Sequence, residues 1–444
     1  MPPQRSIQAQ PPLEFVPPNL QPRLIRGLGV LVPWFLKARC SIADFETTNV
    51  EPLVEMYRAF QSGKIRFMIA FRHPSSLDPI SISRLLAQTV PQCASHMGVD
   101  LHLPTHAYFL YDRGVPLWAG PIIGWLLPRM GGISLQRGKL DRQSLRTARD
   151  KFANGDQPMM VAPEGATNGL NEIVSPLEPG AAQMAFWCLE DLRSKDRKEQ
   201  VYVVPLGLRY SYISEPWEGV DALLAWIETD CGLQNDAQAE RYARLTRIAV
   251  HLVTLLEDYY VRFYQQQLAP SADFGARLQN LLEAALRTSE QFFSIQPKGS
   301  VVDRCRRIEQ AGWDRIYRED LKGQTLSPVQ RGLADRAAEE ADLRMWHMRL
   351  VETFVAVTGS YVRDNPTAER YAETVSLVYK TVQRLKGEAS DAPPSIGSQR
   401  VRLTVGEPIL IDDRYGAYTA NRQGARQCVA DLTKTLQESL EAMI

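Results

Sequence analysis

The sequence predicts an α/β fold, a mixed sheet with flanking helices, carrying a large all-helical insertion. Three observations lead there. Between about Ile65 and Ser214, short apolar runs bounded by turn residues alternate with stretches of helical spacing. Beyond Ser214 long amphipathic runs take over and strand signals become few. After a linker, "KGEASDAPPSIGS", one strand pattern and one helix pattern return. One strand and one helix make a poor domain, so they are expected to rejoin the first sheet.

The elements follow in order. Residues 1–22 are rich in Pro and Gln and are expected to form a disordered tail. Residues 23–60 are read as a helical segment, "VEPLVEMYRAFQSGK" being the clearest part, and as a candidate for membrane docking. The α/β domain is assigned to 61–214. "IRFMIAF", "HAYFLYD", "GISLQR", "PMMVAP" and "VYVVPLGLRY" read as its strands. "SLDPISISRLLAQTV", "RQSLRTARDKFANG" and "GAAQMAFWCLEDL" read as its helices. Residues 215–396 form the helical insertion and linker, and 397–444 the returning strand and helix. No internal repeat is present.

Composition narrows the function classes. The chain has 444 residues and a formal net charge of zero, which argues against a nucleic-acid partner for the molecule as a whole. Six widely spaced cysteines form no CxxC pair, and the start is polar and Pro-rich. Reduced thiols in a cytoplasmic protein are expected, with no metal site. No apolar run is long enough to span a membrane. "GLGVLVPWFL" (27–36) and "VPLWAGPIIGWLLP" (115–128) carry Trp between Gly and Pro. They read either as core or as surface dipping into a bilayer interface. His251 and His347 in the insertion lie on helical runs without partners at ligand spacing, and read as packing or surface residues.

Four stretches could carry chemistry. In "FRHPSSLDPI", His73 follows a strand and Asp78 falls in the first turn of the next helix. Strand ends are where open α/β sheets bind ligands. A carboxylate folded back onto the imidazole would fix its tautomer and make it a general base. The bland alternative is that Asp78 only caps the helix, since Ser75 and Asp78 have capping-box spacing. In "GGISLQRG", Arg137 ends a strand and offers a planar fork to phosphate oxygens. For Arg142, Arg146 and Arg149, further along, a solvated helix face is the simpler reading. In "VAPEGATNG", Glu164 and Gly165 make a turn at another strand end. In "VVPLG", Pro205 lies within a strand, which suggests an edge, a bulge or an end.

The order His-x4-Asp, Gly-x-Ile-x-x-x-Arg, apolar-Pro-Glu-Gly, Val-x-Val-Val-Pro resembles the phospholipid/glycerol acyltransferase family, in particular the 1-acylglycerol-3-phosphate acyltransferases. About 60, 30 and 40 residues separate the blocks, in keeping with that family. The resemblance covers residues 45–214 and 399–444, where "LTVGEPI" is similar to the strand that follows the fourth block. It implies transfer of a fatty acyl group from acyl-CoA or acyl-carrier protein, with no other cofactor, to a hydroxyl of a glycerolipid at a membrane surface. The expected location is cytoplasmic and peripheral to the membrane. By position, His73 is implied as the base and Asp78 as its partner. Gly131 and Arg137 match the acceptor-phosphate block, Glu164 and Gly165 the glycerol block, and Pro205 the donor block. Direct attack needs no serine nucleophile, in keeping with the lack of a G-x-S-x-G elbow. Two departures stand out. Arg72 precedes the His where the family has Asn or a small residue, and Ala166-Thr167-Asn168 replaces Thr-Arg-Ser. Either Arg72 restores the lost charge as a substrate-binding residue or the acceptor head group differs. A non-catalytic lipid-binding or scaffold protein on the same fold is the alternative.

Overall fold

The computed structural model describes residues 7–136, 141–323, 325–354, 361–388 and 393–444. They fall into two compact units. The sheet unit comprises Phe15–Gln136, Asp141–Ser214 and Gly397–Ile444. The helical unit comprises Glu215–Ile396 together with the start of the chain up to Glu14.

The sheet unit holds eight strands: β1 (Ile42–Thr48), β2 (Ile65–Phe71), β3 (Tyr108–Asp112), β4 (Gly132–Leu135), β5 (Met159–Val161), β6 (Gln200–Tyr212), β7 (Gln399–Val405) and β8 (Ile409–Leu410). Their order is β1-β7-β6-β2-β5-β3-β4, with β8 also paired to β6. From β6 to β4 all pairs are parallel. β7 is antiparallel to β6 and parallel to β1, so the sheet is mixed. The segment after residue 397 therefore completes this sheet.

β2 reads as one continuous apolar run because helices cover both faces of the sheet. Its side chains alternate. Phe67, Ile69 and Phe71 enter a core with Leu53, Tyr57 and Ile82. Met68 and Ala70 enter a second core with Phe152, Phe186 and Leu432. That double burial fixes the register of β2 and hence where the chain emerges at its carboxyl end.

Two expectations for the N-terminal region are corrected. Residues 23–60 are not wholly helical: helices Pro22–Arg39 and Glu51–Gln61 flank β1. β1 pairs with a strand more than 350 residues away, and cross-strand ion pairs Arg400–Asp44 (2.6 Å) and Arg402–Glu46 (2.9 Å) hold it. A window on the local sequence contains none of that. Residues 7–22 are not a disordered tail either. Ala9 is buried in the helical unit's core, where Gln10 donates to Ile316 and accepts from Arg318. Val16 donates to Ser134 Oγ, and Asn19 and Gln21 to the carbonyls of Pro128 and Arg129. The prolines remove donors, and several of the remaining N–H groups find partners outside the segment.

In the helical unit, the helices are Trp217–Asp230, Arg241–Tyr264, Phe274–Phe293, Val301–Ile316, Pro328–Phe354, Tyr361–Asp364 and Ala368–Lys386. Several starts are set locally by side-chain caps from Glu240, Asp273 and Thr367, and by a capping box between Ser300 and Asp303. Leu281, Leu286, Ile308, Ala338 and Val351 form its core.

Candidate active site

Where β2 ends, the chain turns before the helix Asp78–Arg84 and presents His73 at the carboxyl edge of the sheet. His73 Nδ1 lies 2.8 Å from Asp78 Oδ2. The Asp78 carboxylate has only acceptors to offer, so Nδ1 donates and Nε2 is left with a free lone pair. Oδ2 also accepts the Ser75 N–H at 2.9 Å. The capping role and the imidazole-orienting role are thus filled by the same oxygen. The second oxygen, Oδ1, accepts the Tyr210 hydroxyl at 2.6 Å, with Ser81 Oγ 3.3 Å from that hydroxyl. Tyr210 comes from β6, 132 residues on.

Asp78 is fully buried while 19% of the His73 side chain is exposed. Burial pushes the Asp78 carboxyl upward, against the hydrogen bonds from His73, Tyr210 and Ser75. Tyr210 is pushed well above its ordinary value by burial and by the Asp78 charge, so it stays a donor. The backbone of His73 is held as firmly as its ring. Its N–H donates to Glu164 Oε1 at 2.7 Å, and the Phe71 ring meets the imidazole edge-on at 5.5 Å. The result is an imidazole fixed in one tautomer, backed by a buried acid, with one nitrogen able to take a proton.

Residues 46–209 match the family model described as Acyltransferase. Over that stretch the chain belongs to the phospholipid/glycerol acyltransferase family. No curated protein and no solved structure matches the chain. In this acyltransferase unit the matched stretch runs from within β1 to within β6, and Tyr210 lies one residue past its end.

The other residues expected at the site are distributed differently. Arg72 does not extend toward an acceptor. It is fully buried, and its guanidinium donates to the carbonyls of Leu170 (2.7 Å), Ile173 (2.9 Å), Leu208 (3.1 Å) and Asn171. It clamps the loop after Glu164 to β6, so it does not supply the charge missing at Ala166–Thr167. Glu164 braces the site from within. Besides the His73 N–H, it takes the Ser175 N–H at 2.9 Å and an Asn168 amide hydrogen at 3.3 Å. Both its oxygens are engaged by protein donors, which turn its charge toward the protein's own backbone and loop. Gly165 makes that turn with φ +75°, a conformation suited to glycine.

Gly131 is also corrected. It precedes β4 with φ +83°, and a Cβ there would meet Leu20 and Tyr108 at about 3 Å. Through the register it is level with Met68, five residues before His73, or roughly 16 Å along the strand. Its glycine serves a tight turn and not the ligand. The opposite end of β4, Leu135, is level with Asp112 and reaches the carboxyl edge of the sheet. Arg137 itself lies outside the described residues. Pro205 is buried in the middle of β6, paired with Ala70. Its carbonyl accepts from Gly406 N–H at 2.9 Å, so its nitrogen faces the gap between β7 and β8, where no ladder donor is needed. That explains a proline inside a central strand and places it behind the site.

Sequence reasoning missed Tyr210. A signal existed: alternation along "VYVVPLGLRY" puts Tyr210 on the same buried face as Leu206 and Leu208. A buried Tyr hydroxyl calls for a partner. Nothing in the sequence names Asp78 as that partner.

Proposed function

We propose that the acyltransferase unit moves a fatty acyl group from a thioester, acyl-CoA or acyl-carrier protein, to a hydroxyl of a glycerolipid acceptor of the lysophosphatidic-acid type. The observation that carries this reading is the Tyr210–Asp78–His73 relay at the carboxyl edge of β2. His73 Nε2 takes the acceptor's hydroxyl proton as its oxygen attacks the thioester carbonyl. The new C–O bond forms, the C–S bond breaks, and the imidazolium returns the proton to the leaving thiolate. Asp78 stabilises the imidazolium between those steps, and Tyr210 and Ser75 stabilise Asp78.

The same unit offers apolar surface for work at a membrane. Val30, Leu31 and Trp34 (67% exposed) stand out from helix Pro22–Arg39. Leu117, Ile122 (76% exposed) and Trp125 stand out from helices Val115–Ala119 and Pro121–Arg129. Exposed Trp with aliphatic neighbours suits the interfacial layer of a bilayer. Among the described residues no helix is long and apolar enough to cross a membrane. Docking on the cytoplasmic face is the matching arrangement.

The test follows free thiol release from acyl-CoA, with a panel of lysolipids, by the parent and by His73→Ala. Acceptor-dependent release that falls by about 10³-fold in the variant supports base catalysis. No release with any acceptor, from acyl-CoA or from an acyl-carrier donor, would leave a lipid-binding scaffold as the better description. Arg137→Ala is expected to raise KM for phosphorylated acceptors about tenfold and to spare unphosphorylated ones. Equal losses for both would reject a phosphate-binding role.

A further inference from the structure

The helical unit contains a cavity of about 380 Å³ that the transfer reaction above does not use. Ordinary cores leave no voids of that size, and ligand sites begin at about 300 Å³. Its wall is mainly aliphatic, with Leu245, Leu252, Leu256, Leu282 and Val378 prominent. All the lining residues belong to the helical unit.

Shape narrows the ligand class. On helix Arg241–Tyr264 the lining runs from Tyr242 to Leu256, fourteen residues apart, which is about 21 Å at ~1.5 Å per residue. A long bore with a mainly aliphatic wall suits one extended alkyl chain.

Polarity gives the chain a direction. At one end Tyr371 Oη meets Glu240 at 3.5 Å, and Arg370 donates to the Tyr361 carbonyl at 2.7 Å. These contacts gather Tyr242, Thr374 and Arg363 there. The hydroxyl of Thr374 is buried without a hydrogen-bond partner among the described residues. Arg363 is largely exposed and, among the described residues, pairs at 3.4 Å with its exposed neighbour Asp364. At the other end, where Arg277 meets Glu257 at 3.0 Å, the lining carries Asp273 and Phe274. In the lining itself the first end offers an anionic head a guanidinium and a buried hydroxyl, while the second offers the carboxylate of Asp273.

We infer that the helical unit binds a long-chain fatty acid, with its alkyl chain in this cavity and its carboxylate at Arg363 and Thr374. The lining lies wholly in the helical unit, whereas His73 and Asp78 belong to the sheet unit, so the inference does not depend on the proposed transfer.

The full-length protein is titrated with cis-parinaric acid, whose fluorescence rises in apolar surroundings. Saturable binding is expected, displaced by palmitate. Leu282→Trp, which fills the bore, should weaken binding at least about tenfold while thiol release continues. Val378→Phe is the milder filling variant should Leu282→Trp fail to fold. Arg363→Glu should weaken the acid about tenfold and leave its methyl ester unchanged. No saturable binding, undiminished binding by the folded filling variants, or displacement by palmitoyl-CoA but not by palmitate would overturn the inference. Equal weakening of acid and ester by Arg363→Glu would overturn the assigned direction. Because binding and thiol release are read separately, loss of one leaves the other intact.

Discussion

His73 in the sheet unit and His347 in the helical unit each hold Nδ1 at 2.8 Å from an oxygen, and each is braced by aromatic rings. The oxygens differ. His73 faces the carboxylate of Asp78, and His347 faces the hydroxyl of Tyr260. Accessibility differs as well. His73 is partly exposed at a strand end, while His347 is fully buried among Tyr260, Tyr264 and Trp346. A carboxylate can stabilise an imidazolium, whereas a neutral phenol in a dry core cannot. Burial, with Arg344 nearby, pushes His347 down to about 3, so it stays neutral. The comparison teaches that a histidine becomes a base through its partner and its access to solvent, not through having a hydrogen bond.

The sharpest way to break the comparison is to neutralise the partner. Asp78→Asn keeps the shape and removes the charge that distinguishes the two sites. Transfer is expected to fall about 10³-fold or more, through loss of the tautomer and of imidazolium stabilisation. Stability should move the other way. A buried carboxyl whose folded-state value is raised binds its proton more tightly in the native chain. Its cost to the fold therefore grows as pH rises above its unfolded value, ~3.9, and levels off above the folded value. Asn relieves that cost. The melting temperature of the variant should match or exceed that of the parent at pH 7, with a smaller difference at pH 4. A variant that loses activity only because it unfolds would reject the comparison.

Tyr210→Phe sharpens it. The phenol hydroxyl is one of three donors to Asp78, and a hydrogen bond to a charged group is worth roughly 1.5–3 kcal/mol. A loss of about 10- to 100-fold in kcat is expected, with KM little changed. Without that donor the Asp78 carboxyl moves further up and takes a proton more readily. The acid limb of the rate profile should therefore move to higher pH. An unmoved limb would make Tyr210 a packing residue only.

The parts of this site that could be read from sequence are those whose partners are local. β2, its turn and the helix after it lie within twenty residues, and His73 with Asp78 follows from their spacing. Arg72 was misjudged because its carbonyl partners lie about 100 and 136 residues away. Tyr210 was missed for the same reason. Gly131 resembles a ligand-binding glycine in sequence, and only the strand register shows that it is at the wrong end of β4. Glu164 stands at the expected strand end, yet its charge is directed inward by Ser175 and Asn168. β1 looked helical because what makes it a strand is the Arg400 and Arg402 pairing from the far end of the chain. In the helical unit the amphipathic runs were legible, while a cavity shared by several helices has no signature in any one of them.

The smallest expected effect lies at the other histidine. His347→Gln retains a group that can bond Tyr260 and should leave thiol release unchanged within a factor of about two. Its signature is in stability against pH. The folded value lies near 3 and the unfolded one near ~6.5. As pH falls below the unfolded value, the unfolded chain takes a proton that the native chain refuses, and stability is lost. Over the window from about pH 6.5 to 5 the loss from this residue is at most about 2 kcal/mol. The parent's denaturation midpoint should thus fall more steeply than the variant's over that window, because the variant has no proton to gain at this position. Identical slopes would mean that His347 is protonated in the folded protein. The contrast between a carboxylate-backed and a phenol-backed imidazole would then fail at its structural end, whatever happens at His73.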